Sequence, residues 1–448
     1  MGARAMRRWP RWLALLATVM ALVMVAAACG GDDDEESADT ATAGGATQEP
    51  VSGTISVSGV WTGDEQAAFR AVIDGFTADN PDATVNYRGA GDNLPTILAT
   101  AIEGGNPPDI ATVAQPGTIR DFVAQGHLKP IEFARADVEA NFDQDLIDLV
   151  TVDGQLYGVL FKAANKSLGW YNAQVFEDAG VEPPATFEEL GQAAETIKAS
   201  GVTPYAVGAD IGWPLTDLFE NIYIRSAGPE MYDQLARHEI PWTDPSVIEA
   251  LEQMRAVIGD SQNLAGGTRG AVQTSFDETV PLVFGDLPEA GMLFEGDFVR
   301  TNVVNDTKAV PGTDALVFPF PSVNGSPPVV VGAGDFAVMF TDSPVAQAFM
   351  RYLASPEAAQ IWAAEAGSLS ANRNLDPSVY PDDITREIGT ALTEAEAFRF
   401  DMSDLQPAAF GATAGQGMWK IFTDFLADPS DPQATARQLE QAAARAYQ

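Results

Sequence analysis

The chain has 448 residues, with 63 Asp+Glu against 25 Lys+Arg and a formal net charge of −38. That acidity argues against a nucleic-acid binder and against a polybasic membrane-surface protein, since no surplus of basic side chains is available to neutralise phosphates. Hydrophobic residues at 46% suffice for full cores in two or three domains, one cysteine excludes an intrachain disulfide, and two histidines, His127 and His238, are too few for most imidazole-built metal sites.

Residues 1–11 carry four arginines (Arg4, Arg7, Arg8, Arg11) and no acid, and residues 12–28 are an unbroken apolar run. Cys29-Gly30-Gly31 and the acidic run 32–36 follow. A basic start, an apolar stretch and small residues before a cut form a secretory signal. The stretch is shorter than the roughly 20 residues of a spanning helix. An uncleaved N-terminal anchor is the competing reading. Cys29 after Ala26-Ala27-Ala28 resembles the lipobox of bacterial lipoproteins, with Ala26 where that family most often has Leu. The resemblance implies a signal peptide over 1–28, lipid on Cys29, and a body held on the outer face of the cytoplasmic membrane. Residues 29–51, small, acidic and polar, read as a flexible tether.

From residue 52 onward, strand and helix signals alternate. The β-branched alternation of 54–61 predicts a strand, and 63–81 predicts a helix with Phe69, Val72, Ile73 and Phe76 at helical spacing. Strands over 83–89 and 107–116 and helices over 94–105 and 117–128 follow. This order predicts an α/β fold with a largely parallel sheet. Ligands in such sheets sit at the carboxyl ends of strands, which makes Trp61, Asp64, Glu65 and Gln115 positional candidates. A capping box, Thr186 with Glu189, opens a helix over 186–201, and a strand over 203–208 comes next. Residues 289–299 read as a buried strand running into a turn, and 327–340 as an apolar stretch broken by Gly332 and Gly334. Residues 345–367 read as helical, with Pro356 starting a second helix.

Enzyme signatures are missing from the sequence: there is no G-x-S-x-G, no Walker A and no H-E-x-x-H. GAGDFA (332–337) matches a dinucleotide loop formally, but a strand pattern continues where a helix N-terminus is needed for the pyrophosphate. Its glycines fit a close backbone crossing between lobes. The acidic stretch 141–154 lacks the spacing of a calcium loop and reads as a solvated helix and turn. A carboxylate pair for glycoside hydrolysis stays open, although nothing singles one out.

Four loops join an aromatic ring to an Asp beside Gly: WTGDE (61–65), ADIGWP (209–214), FEGDF (294–298) and GAGDF (332–336). A flat ring covers the apolar face of a sugar while carboxylates accept bonds from its hydroxyls. One such pair alone is more often core packing with a turn residue. Four together point to a carbohydrate pocket.

The order of segments resembles the extracellular solute-binding proteins of bacterial carbohydrate ABC importers, the maltose-binding-protein-like group. The resemblance rests on NPPDIATVAQPGTIRDFVAQGHLKPI (106–131) and most specifically on DGQLYGVLFKAANKSLGWYNAQVFEDAGVEPPATFEEL (153–190). MLFEGDFV (292–299), VVVGAGDFAV (329–338) and 343–373 continue it; VLFKAAN (159–165) departs where many members have a proline. It implies a two-lobed periplasmic-binding-protein fold, type II-like, with the ligand cleft between lobes joined by crossing strands. The implied lobes are 52–165 plus 333–370 and 166–332 plus 371–448. Carried over by position, Trp61, Asp64, Glu65 and Gln115 meet sugar hydroxyls, Lys162 reaches in from the crossover, and Asp210 and Trp213 form a stacking loop. Asp297, Asp335, Phe336, Arg373 and the late-helix Trp419 complete the candidates.

The implied protein is a monomeric, non-enzymatic, lipid-anchored receptor without a cofactor. It binds a sugar or oligosaccharide, with an α-glucoside as one candidate, and delivers it to an ABC permease powered by a separate ATPase. The alternatives are the same fold with a polyamine, iron or peptide cargo, and a secreted glycosidase.

Overall fold

The computed structural model describes residues 50–448, so the signal segment, Cys29 and nearly all of the tether lie outside the described residues. β1 (Gly53–Gly59), β2 (Ala83–Gly89) and β3 (Ile110–Val113) alternate with helices Gly63–Asp79, Leu94–Glu103 and Pro116–Ala124. β1 pairs in parallel with both β2 and β3, as helical crossovers demand. β3 is shorter than the expected 107–116, because Pro107 and Pro108 cannot donate to a ladder and Pro116 starts a helix. β4 (Thr151–Val152) and β5 (Gln155–Leu156) make a tight hairpin turned by Asp153 and Gly154, both at positive φ.

β6 (Gly158–Asn165) belongs to the first sheet and β7 (Leu168–Asn172) to the second, with Lys166 and Ser167 between them. β8 (Thr203–Tyr205), β9 (Ala290–Phe294) and β10 (Ala315–Pro319) join β7 in the order β10-β7-β9-β8. The chain returns through β11 (Val329–Met339) and later adds β12 (Ala397–Phe400), so the first sheet runs β12-β11-β3-β1-β2. β6 lies along the other side of β11. β12 therefore sits on the first sheet, although the stretch 371–448 carries an expected assignment to the second lobe.

β11 ties the crossover into the first sheet. Near its start it pairs with β12, near its end with β3, and along most of its length with β6. All eleven of its residues are buried. The register against β6 shifts at Asp335/Phe336: Asp335 faces Lys162, then Phe336 faces Leu160. That bulge places a lysine and an aspartate side by side at the crossing, the kind of re-aiming bulges produce. Gly334 is required there, because a Cβ would collide with the Lys162 carbonyl.

Three apolar clusters hold the body. One packs helices Gly63–Asp79, Pro344–Leu353 and Pro356–Ala366 on the first sheet around Phe69, Phe161, Phe349 and Trp362. A second gathers Phe219, Tyr223, Trp242 and Phe422, and a smaller third surrounds Trp170 and Phe284. Each fully buried aromatic contributes about 1.5–3 kcal/mol, so these clusters fix the positions of the two sheets. The capping box opens the helix Phe187–Ser200, with Thr186 Oγ1 accepting from Glu189 N at 3.2 Å.

Candidate functional site

A cleft of about 850 Å³ opens where the crossing strands meet the two sheets. Its first wall comes from the ends of β1 and β3. Asp64 and Glu65 stand in the first turn of the helix Gly63–Asp79, and Gln115 precedes the helix Pro116–Ala124. Its floor is β6 and β11, with Lys162, Lys166 and Asp335. The second wall is aromatic. Trp213 lies 5.3 Å from Phe276 and 6.0 Å from Phe298, ring centre to ring centre, and Trp419 lines the same cleft. Gly212, at φ 104°, lets the helix Trp213–Ala227 begin against the Trp419 carbonyl, where any Cβ would collide. That contact is what brings both tryptophans to one wall.

The two floor lysines are already engaged. Lys162 Nζ lies 2.6 Å from Glu65 Oε1 and 3.9 Å from Asp335 Oδ2. Burial alone would lower its pKa, but Glu65 and Asp335 outweigh burial and hold it above the ordinary lysine value. Lys166 Nζ lies 2.6 Å from Asp401 Oδ2 and 3.0 Å from Asp217 Oδ1, and is likewise held up against burial. Each ammonium also lies near a ring of the aromatic wall: Lys162 at 5.6 Å from Phe298 and Lys166 at 5.2 Å from Trp213. Cations near ring faces are stabilised by the ring quadrupole.

Seven expected residues line the cleft together: Asp64, Glu65, Gln115, Lys162, Trp213, Asp335 and Trp419. Five others do not. Trp61 is fully buried among Phe69, Phe161 and Trp362, and its indole N–H donates to Asp335 Oδ2 at 2.6 Å. It positions a cleft carboxylate without reaching the cleft. Phe336 alternates with Asp335 on β11 and so points into the core against Phe400. Asp297 is buried at the crossover, where its Oδ1 accepts from Asn165 N at 2.7 Å. Burial pushes its pKa up to about 6, against the pull of Lys162 and the Asn165 N–H. Asp210 is exposed and accepts from Ile211 N, turning its own loop. Arg373 is exposed and donates to the Glu139 and Ala140 carbonyls while pairing with Asp143 at 3.4 Å.

The residues missed on sequence are instructive. Phe298, next to the chosen Asp297 in FEGDF, is the member of that pair that enters the cleft. Lys166 and Phe276 lie beside segments already singled out or capped by Ser275–Glu278. Ser403 and Asp404 follow β12 in FRFDMSD (398–404), where Phe400 adjoins Asp401 but no glycine marks a loop. Among the described residues, no group of three or more His, Cys, Asp or Glu is arranged to hold a metal ion.

Comparison with known proteins places this geometry. The family model for bacterial extracellular solute-binding proteins matches residues 61–360. The osmoprotective compounds-binding protein GgtB of Synechocystis sp. is 33% identical over 381 residues, covering 83% of this chain and 88% of GgtB. The alpha-glucosides-binding periplasmic protein AglE of Rhizobium meliloti is 32% identical over 400 residues, covering 86% of this chain and 85% of AglE. The solved structure of the bacterial solute receptor AcbH, described with an exclusive preference for β-D-galactopyranose, superposes with a TM-score of 0.77. At 21% identity, over 88% of this chain and 99% of AcbH, that likeness speaks to the fold, which is two-lobed. By sequence and by architecture, the chain belongs to the bacterial extracellular solute-binding proteins.

Proposed function

We propose that this chain is the substrate-binding receptor of an ABC importer, holding a sugar or short oligosaccharide in its cleft and releasing it to a membrane permease driven by a separate ATPase. One observation carries the reading: a cleft of about 850 Å³ that sets a group of aromatic rings, Trp213, Phe276, Phe298 and Trp419, among carboxylates and amides. Rings cover the C–H face of a sugar, and Asp64, Glu65 and Gln115 accept from its hydroxyls. The names of the relatives make α-glucosides the first cargo to test. Binding is reversible enclosure, with no catalysis.

The chemistry of residues 1–29 supports export and lipid attachment at Cys29, which would put the body on the outer face of the cytoplasmic membrane. The purified parent chain should then begin at Cys29 and carry added lipid mass, and Cys29→Ala should carry none. A parent chain that keeps residues 1–28 and carries no lipid would instead indicate an uncleaved anchor.

A second reading, an amine cargo, is favoured by the excess of carboxylates over lysines along the cleft. A thermal-shift screen with maltose, trehalose and spermidine separates the two. A ligand at 100 times its Kd adds about 2.7 kcal/mol of stability. A shift with spermidine and none with either sugar sinks the sugar reading.

A further inference from the structure

Asp404 is the least explained group of the cleft. It is 5% exposed, opens on the cleft, and its carboxyl has no donor among the described residues; its backbone N–H alone is used, donating to Asp401 Oδ1. Burial and the neighbouring Asp401 push its pKa well above the usual carboxylate range. In the unbound chain such a group is a cost, because a buried carboxyl without partners loses hydration for nothing in return. The surroundings add a second constraint. Asp64, Glu65, Asp277, Glu278, Asp306 and Asp335 line the same cleft, and among the described residues no arginine does. Among the described residues the lysines that line it, Lys162 and Lys166, are committed to Glu65 and Asp401 at 2.6 Å each. A phosphate or carboxylate is recognised by a free Arg or Lys or by an open helix N-terminus. The helices Gly63–Asp79 and Phe276–Phe284, which begin in the cleft, carry Asp64, Glu65, Asp277 and Glu278 in their first turns, and these repel an anion there.

We propose that Asp404 is a specificity-determining residue: it hydrogen-bonds a hydroxyl of the cargo, in a cleft that admits uncharged sugars and rejects sugars bearing a phosphate or carboxylate. This rests on the sugar reading above and says which sugars.

The test titrates the full chain calorimetrically with matched pairs: maltose and maltose 1-phosphate, trehalose and trehalose 6-phosphate, methyl α-glucoside and methyl α-glucuronide. In each pair where the neutral member binds, the anionic member should bind at least about 30-fold more weakly. Anionic members within threefold of their neutral partners overturn the exclusion while leaving the sugar reading intact. If no member of any pair binds, the sugar reading falls and this inference with it. For Asp404 itself, Asp404→Leu should weaken the best neutral sugar at least about tenfold and raise the unfolding midpoint of the unbound chain. Asp404→Asn, which keeps the shape and an acceptor oxygen, should stay within about fivefold of the parent. A purely structural Asp404 would give the opposite pattern, with the Leu variant less stable and its affinity unchanged; that pattern, or unchanged affinity in a stable Leu variant, overturns the assignment.

Discussion

Replacing Lys166 by methionine asks whether one buried ion pair fastens the crossover. Lys166 sits between β6 and β7 and reaches Asp401 at 2.6 Å and Asp217 at 3.0 Å, both almost fully buried. Burial pushes Asp217 above the usual carboxylate range even with the lysine beside it. Asp401 goes the other way. Burial would raise it, but Lys166, Ser403 Oγ and the Asp404 N–H hold it below its ordinary value. The ionised pair at neutral pH is therefore Lys166 with Asp401.

Methionine keeps an unbranched apolar chain, removes the ammonium near Trp213 and leaves Asp401 without a counter-ion, a change that costs about 3–5 kcal/mol at a buried site. The loss has a ceiling, because Asp401 can escape by taking up a proton. Neutralising a carboxyl of unfolded pKa about 3.9 costs about 4 kcal/mol at pH 7 and about 1.5 kcal/mol at pH 5. The sign follows from linkage. In the parent Asp401 is depressed and stays ionised in both states at pH 7 and pH 5, so its contribution is the same at the two values. In the variant the orphaned Asp401 binds its proton more tightly folded than unfolded. The variant therefore recovers stability as pH falls toward the unfolded pKa, and the gap between parent and variant must narrow on acidification. Urea unfolding followed by tryptophan fluorescence at both pH values reads the gap from the midpoints. A loss of about 3–4 kcal/mol at pH 7 shrinking below about 2 kcal/mol at pH 5 is expected. An equal loss at the two pH values, or one under about 1 kcal/mol at pH 7, would refute the reasoning.

Three further substitutions follow from the same geometry. Trp213→Ala should weaken sugar binding at least about tenfold, or roughly 1.4 kcal/mol, by calorimetry; unchanged affinity removes Trp213 from the wall that matters. Trp61→Phe deletes the N–H donated to Asp335 and should cost about 1.5–3 kcal/mol in urea unfolding, while a neutral result would mean Asp335 has found another donor. Asp297→Asn should stabilise the chain at pH 7 by up to about 3 kcal/mol and have little effect at pH 4. The parent carboxyl has a folded pKa of about 6 against an ordinary 3.8, so it holds its proton longer folded than unfolded and loses stability as pH rises between those values. A gain of equal size at pH 4 contradicts that account.

The alternation of elements was legible because it is written in local periodicity: Phe69, Val72, Ile73 and Phe76 all bury the same helix face they suggest. Sidedness at the site was harder. In GAGDF and FEGDF the sequence names an acid and a neighbouring ring without saying which faces the cleft, since strand and turn geometry sends adjacent side chains apart. On β11 the acid faces the cleft and Phe336 the core; after β9 the ring of Phe298 faces the cleft and Asp297 the crossover. Trp61 was misplaced for a related reason, because two residues past the end of β1 the chain still packs its ring inward and only Asp64 and Glu65, further on, reach the opening. Asp404 was invisible, since its place depends on β12 joining a sheet whose other strands lie far away in sequence.

The two lysines occupy the place where a hinge can keep its charges matched. A rotation between lobes moves each group in proportion to its distance from the axis, so partners at the crossing strands stay together while groups on the walls travel. Lys162 takes Glu65 after β1 and Asp335 on β11, both strands of the first sheet, while Lys166 takes Asp401 after β12 of that sheet and Asp217 on the helix Trp213–Ala227. The aromatic wall and the rim acids Asp64 and Asp277 have no such partners at the pivot. Any free energy that favours closure must come from contacts made differently in the two states. On the proposed sugar reading, the contacts to test for it are those of cargo with Trp213, Trp419, Gln115 and Asp404 on the walls, ahead of the ion pairs beside the crossing.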